Sequence, residues 1–377
     1  MRQKPQKIWN PMMLRCLFIF FAFYSTAIFA SERYRILEST RFFSRGNTFI
    51  AANDSDEATS ANPATLAEAE KLTWQLRWFQ SDFFIGENTT STINDLVSLT
   101  PNDTAIDILN KFSDKFGKRQ SGRIQLLPFG LRIFSFELSP FFSTYNFADL
   151  RLPTLPEVRF VSDTYTGVNI AYAMKFGSNY SVGLNVRPMS RILFDGDMAF
   201  SDVLDFVDSS SMELDDLIKQ QEGSLIGVNV GVNYTPNKTD RYGLLIENLG
   251  HTSDTGSADN APPPIPMSVG LGMLKRWNLK SWNLDFLLDI QDIINPNNYN
   301  YFRLIHLGTE FGTSLFTRDN DLGILAGINE GYFTTGAYVD FWLAKFTLSY
   351  YAVELGEYPG QRKDRRWGLS LHSAMTF

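Results

Sequence analysis

The chain has 377 residues, with 34 basic and 41 acidic side chains, a formal net charge of −7 and an aromatic content of 14%. The acidic balance disfavours nucleic acid as a partner, because binding to a phosphate backbone depends on basic side chains. The single cysteine, Cys16, leaves the rest of the chain without a disulfide or a cysteine-based metal site.

The first 30 residues have the pattern of a secretory signal peptide. They carry four basic residues and no acidic residue, with an apolar run over residues 17–29 and small side chains at Ala30 and Ser31. A membrane helix needs about 20 apolar residues, so this run is too short to span. We expect removal of residues 1–30, which leaves 30 basic against 41 acidic residues and a net charge of −11.

Residues 31–70 lack clear alternation and are predicted to form a separate N-terminal segment. Their acidic side chains include Asp54, Asp56 and Glu57, which are followed by the tripeptide Asn62-Pro63-Ala64. Proline cannot donate to a β ladder, so it suits a bend just before the first strand. An ordinary turn is the alternative interpretation of this tripeptide.

Residues 71–377 alternate apolar and polar side chains with a period of two, which predicts β-strands. In the first strand Leu72, Trp74, Leu76 and Trp78 share one face and Arg77 lies on the other. Fourteen strands are predicted, an even number, as a barrel with both termini in the periplasm requires. Their ranges are 71–82, 123–129, 131–143, 164–176, 179–190, 223–235, 240–249, 266–277, 280–291, 302–313, 321–329, 332–340, 342–353 and 366–377.

The connections between these strands alternate in length. Short links include Gly130 and residues 177–178, 236–239 and 278–279, whereas long links cover 83–122, 144–163, 191–222, 250–265, 292–301 and 354–365. Only Glu330-Gly331 breaks this rule. Short periplasmic turns and long outer loops are typical of membrane barrels, and a soluble β-sandwich has no reason to sort its loops in this way.

Two outer loops are predicted to contain short helices, over residues 104–116 and 203–218, from their apolar spacing. The second loop is also acidic. A solvated loop, a lid and a cation site that bridges lipopolysaccharide all remain open for it, and no spacing matches a calcium loop.

The last predicted strand ends in an aromatic residue, Phe377. This terminus resembles the signature of bacterial outer-membrane barrels, whose final aromatic residue is read by the barrel assembly machinery. We expect Phe377 to act as an assembly signal.

The N-terminal segment and the closing strands resemble the FadL-type superfamily of outer-membrane barrels, which transport long-chain fatty acids and hydrocarbons. The matching positions are Ala51, Ala52, Asp54, Ala58, Asn62, Pro63, Ala64 and Leu66. Residues 307–310, 326–332 and 354–361 look like the PorV-like branch of that superfamily. The resemblance implies an all-β, 14-stranded antiparallel transmembrane β-barrel in the bacterial outer membrane, with residues 31–70 folded into the lumen as a hatch and residues 71–377 as the barrel.

A hatch would supply partners for the charges that the strands are predicted to direct into the lumen. Charged groups inside a barrel must be paired or hydrated. The predicted lumen charges are Arg77, Arg187, Glu247, Asp285, Asp289, Glu310, Asp340 and Lys345. We expect Asp54, Asp56 and Glu57 to pair with the lumen arginines.

The sequence contains no pattern that predicts catalysis, a cofactor or a metal site. Its three histidines include His372, which points to the opposite face from Ser373 and so cannot pair with it as in a hydrolase. Three functions remain open: passage of a small hydrophobic molecule, a PorV-like scaffold that binds secreted proteins, and a mainly structural barrel among lipid and lipopolysaccharide. A strand bend at Pro188 would favour a lipid-facing exit, and an apolar cavity would favour transport over a filled lumen.

Overall fold

The computed structural model describes residues 35–68, 74–98, 105–151, 157–199, 220–254, 261–279, 282–294, 301–313, 322–341, 344–356 and 359–376. The predicted signal peptide, the predicted helix over 203–218 and Phe377 lie outside these residues. The described residues form fourteen wall strands, and every strand pairs antiparallel with its neighbour in the chain. They are β1 Trp74–Gly86, β2 in two parts (Arg119–Leu127 and Gly130–Ile133), β3 Phe136–Arg151, β4 Glu157–Phe176, β5 Tyr180–Ala199, β6 Gln220–Tyr234, β7 Asp240–Glu247, β8 Ser268–Leu279, β9 Trp282–Ile290, β10 Ile305–Thr313, β11 Leu322–Asn329, β12 Tyr332–Phe341, β13 Ala344–Glu354 and β14 Lys363–Thr376.

The sheet closes on itself where β14 pairs with β1. The register runs from Gln75 opposite Thr376 to Gly86 opposite Arg366. Closure leaves no unpaired edge, which is the condition for a sheet to cross a membrane. The fourteen-stranded antiparallel barrel predicted from the sequence is therefore confirmed. None of the helices among the described residues is long and apolar enough to cross a membrane.

The predicted turn at Gly130 is wrong. The strand β2 is interrupted at Pro128 and Phe129, resumes at Gly130 and turns only after Ile133, where Phe134 has a positive φ of 56°. Proline has no backbone N–H to donate to the ladder, so it interrupts the strand without ending it. The predicted strand 131–143 is thus divided between β2 and β3.

A bulge in β1 changes which side chains face the lumen. Arg77 pairs with Ala374 and Phe79 with Ser373, so Trp78 is an extra residue relative to β14. Beyond the bulge the even-numbered positions turn inward, and Gln80 and Asp82 are buried. One inserted residue reverses the two faces of a strand.

The outer ends of β3, β4 and β5 are longer than the sequence pattern predicts. Most of the predicted loop 144–163 and the beginning of the predicted loop 191–222 continue as strand, since β3 ends at Arg151, β4 begins at Glu157 and β5 ends at Ala199. Two helices lie between β1 and β2: α2 Glu87–Val97 and α3 Ala105–Phe112. The second agrees with the helix predicted over 104–116, and the first was not predicted. A shorter helix, α1 Thr40–Ser44, lies in the N-terminal segment.

Candidate functional site

The described part of the hatch, residues 35–68, lies inside the barrel and is almost entirely buried. It contains α1 and two 3-10 turns, Ser55–Glu57 and Pro63–Glu68. Ser39 caps α1, because its hydroxyl accepts a hydrogen bond from the backbone N–H of Arg41. Short turns of this kind pack the chain across the lumen without the alternation of a strand.

Inward-facing glycines of the wall bring the hatch backbone into direct contact with the strands. A Cβ atom at Gly231 would lie 1.8 Å from Asn62 Oδ1, and one at Gly243 would lie 2.5 Å from the Ile50 carbonyl oxygen. Similar close approaches occur at Gly183, Gly272, Gly308, Gly327 and Gly336. These separations are far below van der Waals contact, so only glycine admits the hatch at these positions.

The centre of the hatch is held by two arginines and two carboxylates. Arg41 Nη1 lies 3.1 Å from Asp54 Oδ1 and its Nη2 lies 2.5 Å from Glu310 Oε1. Arg45 pairs with Asp54 and lies 2.7 Å from Glu310 Oε2. Burial opposes the charged form, yet the two carboxylates hold the pKa of Arg45 above its usual value. This cluster joins the hatch to β10.

The expected pairing of Asp54 with a wall arginine is therefore not found among the described residues. The partners of Asp54, Arg41 and Arg45, belong to the hatch itself, and the wall contributes the carboxylate of Glu310 instead. Neither arginine was singled out from the sequence, because the hatch has no periodicity that would mark an inward face.

Two further wall carboxylates bind the hatch backbone. Asp289 accepts hydrogen bonds from the N–H groups of Phe49 and Ile50 at 2.7 and 3.0 Å. Asp82 accepts one from Thr40 at 2.9 Å. Asp289 was predicted as a lumen charge, whereas the bulge at Trp78 concealed the inward position of Asp82.

Asp56 and Glu57 occupy the 3-10 turn near the β13–β14 side of the wall. Asp56 Oδ2 lies 3.8 Å from Lys345 Nζ and 3.6 Å from His372 Nδ1. Glu57 accepts a hydrogen bond from Ser39 at 3.0 Å and forms no ion pair with a wall arginine among the described residues. Burial, followed by the charges of Asp56, Asp54 and Asp82, raises the pKa of Glu57 to about 8 despite the opposing charge of Arg41.

The remaining predicted lumen charges have partners on the hatch or on the wall. Arg187 donates to the Thr59 carbonyl oxygen at 3.0 Å and to Asn169. Asp340 is directly opposite Lys345 in the register of β12 and β13. The other contacts are Arg77 to Glu137 at 3.1 Å, Glu247 to Arg35 at 2.7 Å and Asp285 to Arg276 at 2.5 Å. Sequence reasoning missed Glu38, which pairs with Arg123 on β2, and Glu68, which pairs with Arg241 on β7.

The Asn62-Pro63-Ala64 tripeptide is buried against β5 and β6. Asn62 Nδ2 donates to the Ile50 carbonyl oxygen at 2.8 Å and to Asn233 at 3.0 Å, and Asn62 Oδ1 accepts from Ala64 N–H. Pro63 begins the second 3-10 turn, where a missing N–H costs no hydrogen bond. The tripeptide thus ties two separate parts of the hatch to the wall.

An apolar cluster lies beside the start of the hatch, on the β3–β6 side of the lumen. It consists of Ile36, Leu37, Leu127, Phe141, Tyr165, Met189 and Leu225. The pairing of β4 with β5 is interrupted beside this cluster: Gly167 pairs with Met189 and Ile170 with Val186, with no pair between them. Pro188 occupies this gap and has no N–H to donate. A second proline, Pro140, lies opposite Val168 on the other side of β4.

The interruption lies just inside the apolar band of the outer wall. On the outer surface of the wall, Val168, Pro188 and Ile226 form an apolar row at the level of the interruption. The next row toward the outer loops is polar: Thr166, Ser190 and Ser224 face one another across β4, β5 and β6. A polar row beside an apolar row marks the edge of the lipid-facing band on this side.

Two of the cavities that described residues line are small. One, of about 20 Å³, lies between the hatch and the outer loops and is lined by polar side chains that include Arg35, Glu38 and His306. The other, of about 40 Å³, lies beside Asn53 and Arg241. Each has room for only one or a few waters. No three His, Cys, Asp or Glu side chains in the described ranges lie close enough to hold a metal ion.

Two of the three segments singled out near the end of the sequence, 326–332 and 354–361, meet at the outer rim through described residues. The carboxylate of Glu354 accepts hydrogen bonds from Tyr332 and from the N–H groups of Gly356, Gly360, Gln361 and Arg362. Arg303 then donates to the carbonyl oxygens of Glu354 and Gly356, at 2.8 and 2.6 Å, and lies 3.5 Å from Glu330. These bonds fix the loops above β10–β14.

Comparison with solved structures shows the same fold in two hydrocarbon channels. A deltaS2S3 mutant of the monoaromatic hydrocarbon channel TodX is 12% identical, with a TM-score of 0.51 over 90% of this chain and 98% of that chain. The monoaromatic hydrocarbon channel CymD is also 12% identical, with a TM-score of 0.51 over 92% of this chain and 99% of that chain. No protein-family model and no curated protein matches the chain. The barrel fold implied by the FadL-type resemblance is confirmed, and the PorV-like branch stays a prediction.

Proposed function

We propose that this chain is an outer-membrane channel for small hydrophobic molecules, closed in the described state by residues 35–68. The two structures that share its fold are hydrocarbon channels rather than enzymes, which supports a role in passage across the bacterial outer membrane. The observation that carries the proposal is the apolar cluster beside the interrupted β4–β5 ladder. An apolar molecule in that cluster would be separated from the lipid only by the wall, at the point where the β4–β5 ladder is interrupted at Pro188.

The hatch must move for passage to occur, because its residues 35–68 lie almost entirely buried inside the barrel. Ile36 and Leu37 belong to the apolar cluster, so displacement of the first hatch residues would open space within it. The ion pairs and glycine contacts of Arg45 to Ala64 would keep the rest of the hatch in place. In this proposal the beginning of the hatch gates the apolar cluster, and the remainder blocks water and ions.

The first experiment measures conductance in planar bilayers. Deletion of Ser31 to Ala64, with the signal peptide kept, should raise single-channel conductance from near zero to a steady pore level, because barrels of this size can hold an aqueous path. Unchanged conductance through a correctly inserted barrel would contradict the proposal that this segment closes the lumen.

The second experiment measures uptake of the apolar dye N-phenyl-1-naphthylamine by cells that express the protein. Pro188→Val restores an N–H to the β4–β5 ladder, so we expect slower uptake than with the wild type at equal membrane levels. Pro236→Ala, in the turn after β6, is the matched control and should leave uptake unchanged. Equal uptake by Pro188→Val and the wild type would contradict passage to the lipid through the interrupted β4–β5 ladder.

A scaffold that binds secreted proteins is the second candidate. The filled lumen and the rigid loops around Glu354 and Arg303 support it. Arg303→Met should then reduce export of a bound secreted protein and leave dye uptake unchanged, whereas the channel proposal expects no effect on export.

A further inference from the structure

The loop between β9 and β10 exposes a group of large apolar side chains, which we call the aromatic loop surface. It consists of Ile293, Ile294, Tyr301 and Phe302. Tyr301 and Phe302 are 74% and 71% exposed, and the two isoleucines are exposed to 36% and 44%. Four such side chains together on one loop are unusual for a surface in contact with water alone.

The loop is fixed at its base, so this exposure is built into the fold. Arg303 and Leu304, which follow Phe302 directly, are buried, and Arg303 is anchored to the carbonyl oxygens of Glu354 and Gly356. The N–H of Ile293 donates to the Val269 carbonyl oxygen at 2.9 Å. With both flanks held to the barrel, Tyr301 and Phe302 face away from the lumen.

The outward apolar rows of the wall reach the strand ends directly below this loop. Leu271, Ile290 and Ile305 face one another across β8, β9 and β10, and all three are exposed. Ile290 is the last residue of β9 and Ile305 is the first of β10. Ile328 and Phe333 form an exposed apolar pair at the corresponding end of β11 and β12.

The rim on the opposite side is much higher. There the polar row Thr166, Ser190 and Ser224 marks the edge of the band, and β4 continues outward from Thr166 to Glu157. At about 3.3 Å per residue, this extension is roughly 30 Å of strand. By contrast, β9 and β10 do not extend beyond their exposed apolar residues. β9 ends at Ile290 and β10 begins at Ile305, so the loop between them begins at the edge of the apolar band.

We propose that the aromatic loop surface inserts into the acyl chains of the outer leaflet. Its apolar side chains lie just after the end of β9 and just before the start of β10, next to the exposed apolar rows of the wall. Aromatic residues are the side chains that favour the membrane interface. The loop would anchor the low side of the rim in the leaflet while the high side stands in water.

Spin labels and their accessibility to quenchers test this insertion. Phe302→Cys and Tyr301→Cys are each labelled with a nitroxide. The one native cysteine, Cys16, lies in the predicted signal peptide, so the mature barrel offers no competing thiol. The barrels are placed in vesicles of phosphatidylethanolamine and phosphatidylglycerol. Both labels should be relaxed several-fold more by oxygen, which concentrates in lipid, than by a water-soluble nickel complex.

Two further positions calibrate the measurement. Leu348→Cys, at a 51% exposed outward position on β13, gives the lipid value, and Thr90→Cys, at an exposed position on α2, gives the water value. Labels at 301 and 302 that behave like the label at 90 would overturn the proposal. The result does not depend on transport, so it stands or falls separately from the channel proposal.

Discussion

Individual buried charges determine how firmly the hatch is held. Arg41, Arg45, Asp54 and Glu310 form a set in which each arginine contacts both carboxylates. Such a set is stable only when complete, because removal of one member leaves a charge without compensation in a site that excludes water. The hatch is thus more sensitive to single substitutions here than at its rim.

Arg45→Met should lower the free energy of unfolding by about 3–5 kcal/mol, since Asp54 and Glu310 lose a buried partner. Urea titration of the barrel in detergent micelles, followed by tryptophan fluorescence, measures this loss. Arg159→Met, which removes an exposed pair with Asp195, is the control and should cost less than about 1 kcal/mol. Equal losses for the two variants would show that the buried set does not stabilise the hatch.

Glu57 should make the hatch less stable as the pH rises. Its pKa is raised to about 8 in the folded protein, above its usual value of 4.5, so the folded chain keeps a proton that the unfolded chain has lost. The contribution is fully present below about pH 4.5 and is lost as the pH rises through about 8, with a slope of at most about 1.4 kcal/mol per pH unit.

Unfolding measured at pH 5 and pH 8 tests this dependence. Glu57→Gln carries no titratable carboxyl, so its free energy of unfolding should fall less between the two pH values than that of the wild type. Glu87→Gln, at an exposed position on α2, should behave like the wild type. Identical pH slopes for Glu57→Gln and the wild type would contradict the assignment.

Several strands of the wall contact the hatch closely because each has a glycine at the point where the hatch passes. Seven wall glycines share this role, and they lie on β5, β6, β7, β8, β10, β11 and β12. Glycine in a strand interior usually weakens it, and it persists where another part of the backbone approaches closely. The fit is therefore steric as well as electrostatic.

Gly231→Ala should displace the hatch without unfolding the barrel, because its Cβ would lie 1.8 Å from Asn62 Oδ1. Trypsin should then cleave after Arg41 or Arg45, which are protected in the wild type, and mass spectrometry identifies the fragments. Gly122→Ala serves as the control, since its nearest neighbour would be 3.8 Å away. Full protection of Gly231→Ala would argue against the glycine contacts.

For the whole molecule, closure between the first and last strands is the step that completes the barrel. The register of β1 with β14 extends along nearly the full length of both strands. Until this seam forms, both strands present unpaired N–H and C=O groups that the membrane cannot satisfy. We therefore propose that insertion is most sensitive where β14 is delivered to the assembly machinery.

Phe377→Ser should reduce the amount of barrel in the outer membrane and leave unfolded chain in the periplasm. Immunoblots of fractionated cells, with unheated samples to separate folded from unfolded barrel, measure the ratio. Phe341→Ser also removes an exposed aromatic residue at a strand end, but not at the terminus, and should insert normally. Normal levels for both variants would exclude a special role for Phe377.

The sequence by itself determined the class of fold and the number of strands. Alternation is a local property, because successive side chains of a strand point to opposite faces whatever the strand pairs with. Asp289 and Glu310 were recognised as lumen charges for this reason. The side of the lumen that the N-terminal segment occupies had no comparable local signal.

Only the tertiary structure decided the partners inside the barrel. Arg41 and Glu310 are separated by 269 residues, and their contact depends on the path of a segment without periodicity. Asp82 faces inward because a single bulge at Trp78 reverses the strand, and Pro128 interrupts β2 without ending it. Such irregularities change the register of everything that follows, so they are settled by packing against neighbouring strands rather than by the residues themselves.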